Sequence, residues 1–306
     1  MSLTYLLDKL EAAEISSDPF PHVYIENFLD DADFKAVVNA PEIALRPAST
    51  IQELFSALDA ADYKAIEFPG CTKSRADYIA WVESNVKIKG IHGACEGKGM
   101  AMRCGQPQSE AVKALDAFFQ TRELRELLAK KFGVTEPTQL DCGLQKYLNG
   151  YEISPHPDIR QKALTWMLNV NPGDDTESLD YHTHYMTFRP EWDFVRKFWQ
   201  DTPDAETCWV PWQWCETQKR QTANNSIVVF SPRYDTLHAI RAHYDHLPAQ
   251  RTQFYGNLWY KPQRLTSRPQ YRDFEGGSAP KPSRAGLVRS TADRLRAQLV
   301  GWTPTR

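Results

Sequence analysis

The chain has 306 residues, 42% of them hydrophobic, 12% aromatic and 25% charged, with a formal net charge of −3. That length buries a full core, and the charge balance excludes a strongly basic nucleic-acid binder. No apolar run approaches the ~18 residues of a membrane-spanning helix.

Residues 3–14 pattern as a short amphipathic helix with Leu3, Leu6, Leu7 and Leu10 on one side. Its acidic residues stand where a secretory apolar stretch would continue, so no export signal is expected. PFPHVYIENFL (19–29) reads as an opening strand, and Asp30 and Asp31 are placed to cap a helix over 31–39. Segments 51–61 and 74–87 have helical patterning, whereas 62–73 and 88–107 are mixed. The helical signal is strongest from Ser109 to Lys131, with Leu124, Leu127, Leu128 and Phe132 on one face and Gly133 as a stop. Then the period changes. Residues 139–148, 162–171, 225–231, 236–241 and 251–260 read as strands. Between the second and third lies an aromatic insertion, 172–224, with a helical piece near 190–200. A connection so long reads as a functional lid or an added packing layer.

The tail carries a different charge. Residues 264–306 sum to +6, so the remaining body is −9. GGSAPKPS (276–283) reads as a linker and 290–300 as a short helix. A solvated tail docked on the acidic body is the plain expectation, and contact with an anionic surface is the sharper one. The six cysteines, Cys71, Cys95, Cys104, Cys142, Cys208 and Cys215, form no Cys-x-x-Cys pair. A zinc ribbon is therefore not expected, and reduced thiols in a cytoplasmic protein are.

The chemistry concentrates at His156 and Asp158, in YLNGYEISPHPDIRQKALTWMLNVNP. Residues i and i+2 of an extended strand share a face, so one imidazole and one carboxylate can converge on one metal. A third imidazole from a distant strand would complete a two-His, one-carboxylate triad, which leaves open positions and suits non-haem Fe(II). So short a pattern is weak by itself, and His243 with Asp245 repeats it. Order separates the two pairs. Only His246 follows the second, whereas a strand, the long excursion, another strand and then His238 follow the first. His182 and His184 remain competing ligands.

At these residues the chain resembles the Fe(II)/2-oxoglutarate-dependent oxygenases, especially their prolyl-hydroxylase-like branch. Four segments carry the resemblance: PFPHVYIENFL, YLNGYEISPHPD with KALTWMLNVN, NNSIVVFSPRYDTLHAIRA and RTQFYGNLWY. It spans about 19–29 and 139–260. It implies an α+β fold with a double-stranded β-helix (jelly roll) core and the N-terminal helices packed on one face. A single domain is then expected over 1–263, with a helical front (1–135), a β core (136–263) and the basic tail beyond. The resemblance implies that His156, Asp158 and His238 hold Fe(II), that Arg251 grips the distal carboxylate of 2-oxoglutarate, and that Tyr147 and Thr165 also touch this co-substrate. One departure is local: the family's Gly-rich strand after the first long loop is replaced by NPGDDTESLDYHTHYMTF, with Leu179 the residue that would hold it. The carboxylate of Asp158 also argues against a halogenase, which needs that position vacated.

The implied activity is hydroxylation of a C–H bond by O2 with release of succinate and CO2. The expected substrate is a small molecule or a glycan, with the aromatic insertion closing over it. A protein hydroxylase of prolyl type is the alternative within the class. A non-catalytic β-sandwich binding module with structural histidines is the alternative outside it.

Overall fold

A computed structural model of the protein describes residues 2–66, 74–84, 99–262, 264 and 266. In chain order these give α1 (Tyr5–Ala12), β1 (His22–Ile25), α2 (Asp31–Val38), α3 (Ile51–Ala60), β2 (Tyr63–Ala65), α4 (Arg75–Glu83) and β3 (Ala101–Cys104). They continue with α5 (Glu110–Phe119), α6 (Arg122–Lys131), β4 (Thr138–Tyr147), β5 (Glu152–His156), β6 (Lys162–Asn169), β7 (Thr183–Phe188) and α7 (Asp193–Asp201). The last four are β8 (Cys215–Arg220), β9 (Ile227–Phe230), β10 (His238–Arg241) and β11 (Arg251–Tyr260). The chain divides into two units, 1–271 and 272–306. The expected linker and terminal helix lie outside the described residues.

Two antiparallel sheets result. The larger runs β1-β9-β6-β11-β4-β3-β2 and the smaller β5-β10-β7-β8. From β4 to β11 the chain visits them in the order large, small, large, small, small, large, small, large. Each sheet thus takes four of the eight strands, and the wiring is that of a double-stranded β-helix. β1 and the pair β2, β3 extend the larger sheet at its two edges. The expected α+β fold with a jelly-roll core is the one observed.

Helices α1 to α6 cover the outer face of the larger sheet, for reasons visible in the sequence. α3 buries Ile51, Leu54, Phe55 and Leu58, and α5 buries Val112, Leu115, Phe118 and Phe119, each set at helical spacing. These side chains join Leu144, Leu164, Trp166, Leu168, Phe254 and Leu258 from the strands in one core. Four helix starts carry a hydroxyl that accepts a backbone N–H in the first turn: Thr50, Ser74, Ser109 and Thr121. Thr121 is why the single helix expected over 109–131 is two. Its backbone is extended, with ψ at 148°, and it caps α6 after α5 has ended.

Gly256 makes room for the indole of Trp166, its register partner on the neighbouring strand. A Cβ there would stand 2.3 Å from the Trp166 ring. The indole lies across the strand, and Phe119 stacks on it at 5.8 Å between ring centres.

The insertion expected over 172–224 is corrected by the structure. It contains β7 and β8, which are half of the smaller sheet, so much of it is barrel wall. Leu179 is not in a strand: it follows a short 3₁₀ turn, Thr176–Ser178, and the strand begins at Thr183. β8 is an edge strand that exposes Glu216, Thr217, Gln218 and Arg220, and an edge of that composition reads as loop. The strand β5 was hidden in a similar way by Pro155. No helix among the described residues is long and apolar enough to cross a membrane. Cys104, Cys142, Cys208 and Cys215 are free thiols.

One core residue is unusual. Lys146, on the helix-facing side of β4, is fully buried. Its ammonium donates to the carbonyl of Ile43 (2.7 Å) and to Thr252 Oγ1 (2.9 Å). Burial lowers its pKa from 10.5 to about 7. Between those two values the unfolded chain binds the proton and the folded chain does not, so this group makes stability rise with pH. Urea unfolding of wild type and Lys146→Met at several pH values from 6.5 to 10 checks this. The wild type should gain on the variant as pH rises, by on the order of 1 kcal/mol per unit. A constant difference would refute the assignment.

Candidate metal centre and its cavity

β5 and β10 are neighbours in the smaller sheet, and their register places His238 directly opposite His156. The two rings lie 4.4 Å apart, centre to centre. Asp158 follows on the inward side, and its Oδ1 stands 4.0 Å from His156 Nε2. One ligand atom from each of His156, Asp158 and His238 falls within 4.8 Å of the others. Among the described residues this is the group whose donors converge so.

Each imidazole is oriented by its own strand. His156 Nδ1 contacts the carbonyl of Ser154 at 2.8 Å, and His238 Nδ1 contacts that of Thr236 at 3.0 Å. A carbonyl only accepts, so Nδ1 carries the hydrogen in both rings and Nε2 keeps its lone pair for a metal. Burial, then the neighbouring His238, pushes His156 down to about 3. Burial likewise lowers His238. Both rings are therefore neutral at physiological pH, the state a ligand needs. Two neutral imidazoles and one carboxylate are the donor set that suits non-haem Fe(II).

The carboxylate is held from two sides. Lys162 Nζ donates to Asp158 Oδ1 at 2.7 Å, and Thr165 Oγ1 donates to Oδ2 at 2.6 Å. Burial alone would raise the Asp158 pKa, but Lys162 and the neighbouring His238 and His156 together hold the carboxyl well below the usual range. Lys162 also donates to Tyr255 OH at 2.8 Å, which donates in turn to Asn257 Oδ1 at 3.1 Å.

These groups line a cavity of about 380 Å³ between the sheets. β11 supplies one wall. Phe254, Gly256 and Leu258 turn toward the helices, whereas Arg251, Gln253, Tyr255, Asn257 and Trp259 turn inward. Arg251 sits at the buried end, only 3% exposed. Its guanidinium lies 4.6 Å over the Tyr147 ring and donates to Thr183 Oγ1 at 3.0 Å. Tyr147 is the register partner of Arg251 across β4 and β11. Further along, Gln145 turns its amide oxygen to Arg103 Nη2 (2.7 Å) and its nitrogen to Tyr147 OH (2.8 Å). Arg103 is itself paired with Asp141 at 2.6 Å.

Of the six residues singled out in the sequence, His156, Asp158, His238, Arg251 and Tyr147 face this one cavity. Thr165 stands elsewhere, behind Asp158, with its hydroxyl spent on that carboxylate. The competing histidines are occupied away from the centre: His182 on the carbonyl of Glu177, His184 on Thr217 and His246 against Tyr78. Sequence reasoning missed Lys162, Thr183, Gln145 and Arg103. Only Lys162 left a local trace, an i, i+4 spacing from Asp158.

Calorimetric titration with Mn(II) under anaerobic conditions tests the centre. Asp158→Asn and His238→Ala, checked for folding by circular dichroism, should each weaken binding at least a hundredfold. Thr165→Val should weaken it roughly tenfold, as loss of a ligand's supporting hydrogen bond does. Unchanged affinity in the first two variants would dismiss the centre.

No family model matches the chain, and neither does any curated protein. Some solved structures do. A prolyl hydroxylase from Trichoplax adhaerens, in complex with a hypoxia inducible factor oxygen degradation domain peptide fragment, is similar at 12% identity and a TM-score of 0.42, over 86% of this chain and 90% of that one. A Pseudomonas putida prolyl-4-hydroxylase is similar at 12% identity and a TM-score of 0.39, over 85% and 99%. The non-haem alpha-ketoglutarate-dependent epimerase SnoN from nogalamycin biosynthesis is similar at 12% identity and a TM-score of 0.37, over 92% and 93%. Likeness at this level transfers no role to any residue of this chain.

Proposed function

We propose that this protein is an Fe(II)- and 2-oxoglutarate-dependent dioxygenase that hydroxylates a C–H bond of a small molecule. The observation that carries the reading is the convergence of His156, His238 and Asp158, one donor atom of each within 4.8 Å of the others, in a cavity that also holds a buried arginine. His156, Asp158 and His238 would hold the iron. Bound there, it supplies the activation of O2 that couples decarboxylation of 2-oxoglutarate, to succinate and CO2, with hydroxylation of the substrate.

The chain's own residues bind and orient. Arg251 is assigned to the distal carboxylate of 2-oxoglutarate, because its fork of donors matches a carboxylate and its burial strengthens the pair. The Tyr147 ring beneath the guanidinium and the Thr183 hydroxyl beside it keep that fork in place. Burial at this end excludes water from the carboxylate contact. Ile66, Ile153, Ile159, Met167, Trp209 and Trp259 line much of the remaining space. A cavity of this size and lining favours a compact substrate with apolar surface over a glycan or an extended peptide.

Anaerobic addition of Fe(II) and 2-oxoglutarate should produce the weak visible charge-transfer band of a chelated 2-oxo acid. Arg251→Met should raise the 2-oxoglutarate concentration needed for half of that band by about 10- to 100-fold, the worth of a buried charged hydrogen bond. Well-folded wild type that binds Mn(II) but gives no band would dismiss the co-substrate assignment.

A further inference from the structure

The charges in the cavity do not close under the proposed function. Its ionised walls are Arg103, Asp141, Asp158, Lys162 and Arg251. Arg103 and Asp141 cancel as an ion pair. The remaining three sum to one positive charge, and a divalent iron with a dianionic 2-oxoglutarate adds nothing to that sum. A buried positive charge without a partner is costly, and folded proteins pair such charges.

The position of the excess follows from the strand. Arg251 opens β11 and is matched, under that function, by the distal carboxylate. Lys162 is the register partner of Trp259 at the other end of the strand, and its ammonium reaches back as far as Tyr255, four residues or roughly 13 Å by strand rise from Arg251. Its ammonium lies 5.4 Å from the Trp259 ring and 2.8 Å from Tyr255 OH. Without metal, Asp158 neutralises it at 2.7 Å. Once that carboxylate serves a divalent ion together with the proximal carboxylate of 2-oxoglutarate, two negative charges face three positive ones. The unmatched charge therefore resides at the Lys162 end, beside the metal, among Ile159, Trp209 and Trp259.

We propose that the substrate is an anionic small molecule whose carboxylate or phosphate group seats on Lys162, with its apolar body against Trp209 and Trp259. The proposal rests on the dioxygenase reading and names the substrate class for it. Lys162 is then a specificity residue as well as a support for Asp158.

Matched probes separate those two roles. Wild type and Lys162→Met are loaded anaerobically with Fe(II) and 2-oxoglutarate to a saturated charge-transfer band. Each is then titrated with phenylacetate against phenylacetamide, hexanoate against hexanamide, and phenyl phosphate against its dimethyl ester. Perturbation of the band reports binding. In wild type at least one anion should bind tenfold or more tighter than its neutral partner, and Lys162→Met should bring that ratio close to one. A residue that only supports Asp158 would change both members of a pair equally and leave the ratio intact. That result overturns the proposal, as does equal binding of the pairs by wild type or no anion binding below 10 mM. Failure of the dioxygenase reading looks different: wild type then shows no band before any probe is added.

Discussion

β11 is hydrogen-bonded along both edges, to β4 and to β6, and both of its faces are buried. That double demand organises the molecule. With period 2, every other residue must suit the apolar layer under the helices, and the residues between must suit a polar cavity. Phe254, Gly256 and Leu258 meet the first requirement; Arg251, Gln253, Tyr255 and Asn257 meet the second. A slip of one residue would put an arginine and an asparagine into the helix core and two large apolar groups into the cavity. Register here is therefore fixed by burial on both sides, and the positions of Arg251 and the Tyr255–Asn257 pair are fixed with it.

The same strand ties the candidate metal ligands to the sheet. Asp158 lies in a connection, where a side chain is free to wander. It is immobilised by Thr165 and Lys162, both on β6, and Lys162 is anchored in turn by Tyr255 on β11, which Asn257 holds. The carboxylate is thus referred back through hydrogen bonds to a strand paired along both edges, while the two histidines are referred to the opposite sheet. The site spans the gap between sheets without resting on any long loop.

Much of this was legible in the sequence, and the limits have physical causes. His156 and Asp158 could be found because a two-residue spacing on an extended chain has one geometric meaning. His238 was preferred to His182 and His184 through the family resemblance, which puts the distal histidine after a strand and a turn. Arg251 and Tyr147 came with the family resemblance, and no local pattern pairs them; their pairing is a register across strands more than a hundred residues apart. Thr183 was out of reach because β7 was buried inside a segment read as an insertion, and β8 looked like loop since an exposed edge is polar by necessity. The role of Lys162 depends on where Asp158 and Tyr255 meet in space, and spacing alone states only that a contact is geometrically allowed. The split of α5 from α6 turned on one threonine whose capping use competes with its place in a helical pattern.

The bonds from His156 to the carbonyl of Ser154 and from His238 to that of Thr236 span two residues each. Every imidazole is thus aimed by the peptide chain immediately before it, and Asp158 is aimed by β6. The aim of all three side chains is thus written into hydrogen bonds of the polypeptide itself, two of them within a strand or its approach and one across to β6, so a change in any one of these short segments re-aims a single side chain and leaves the other two in place.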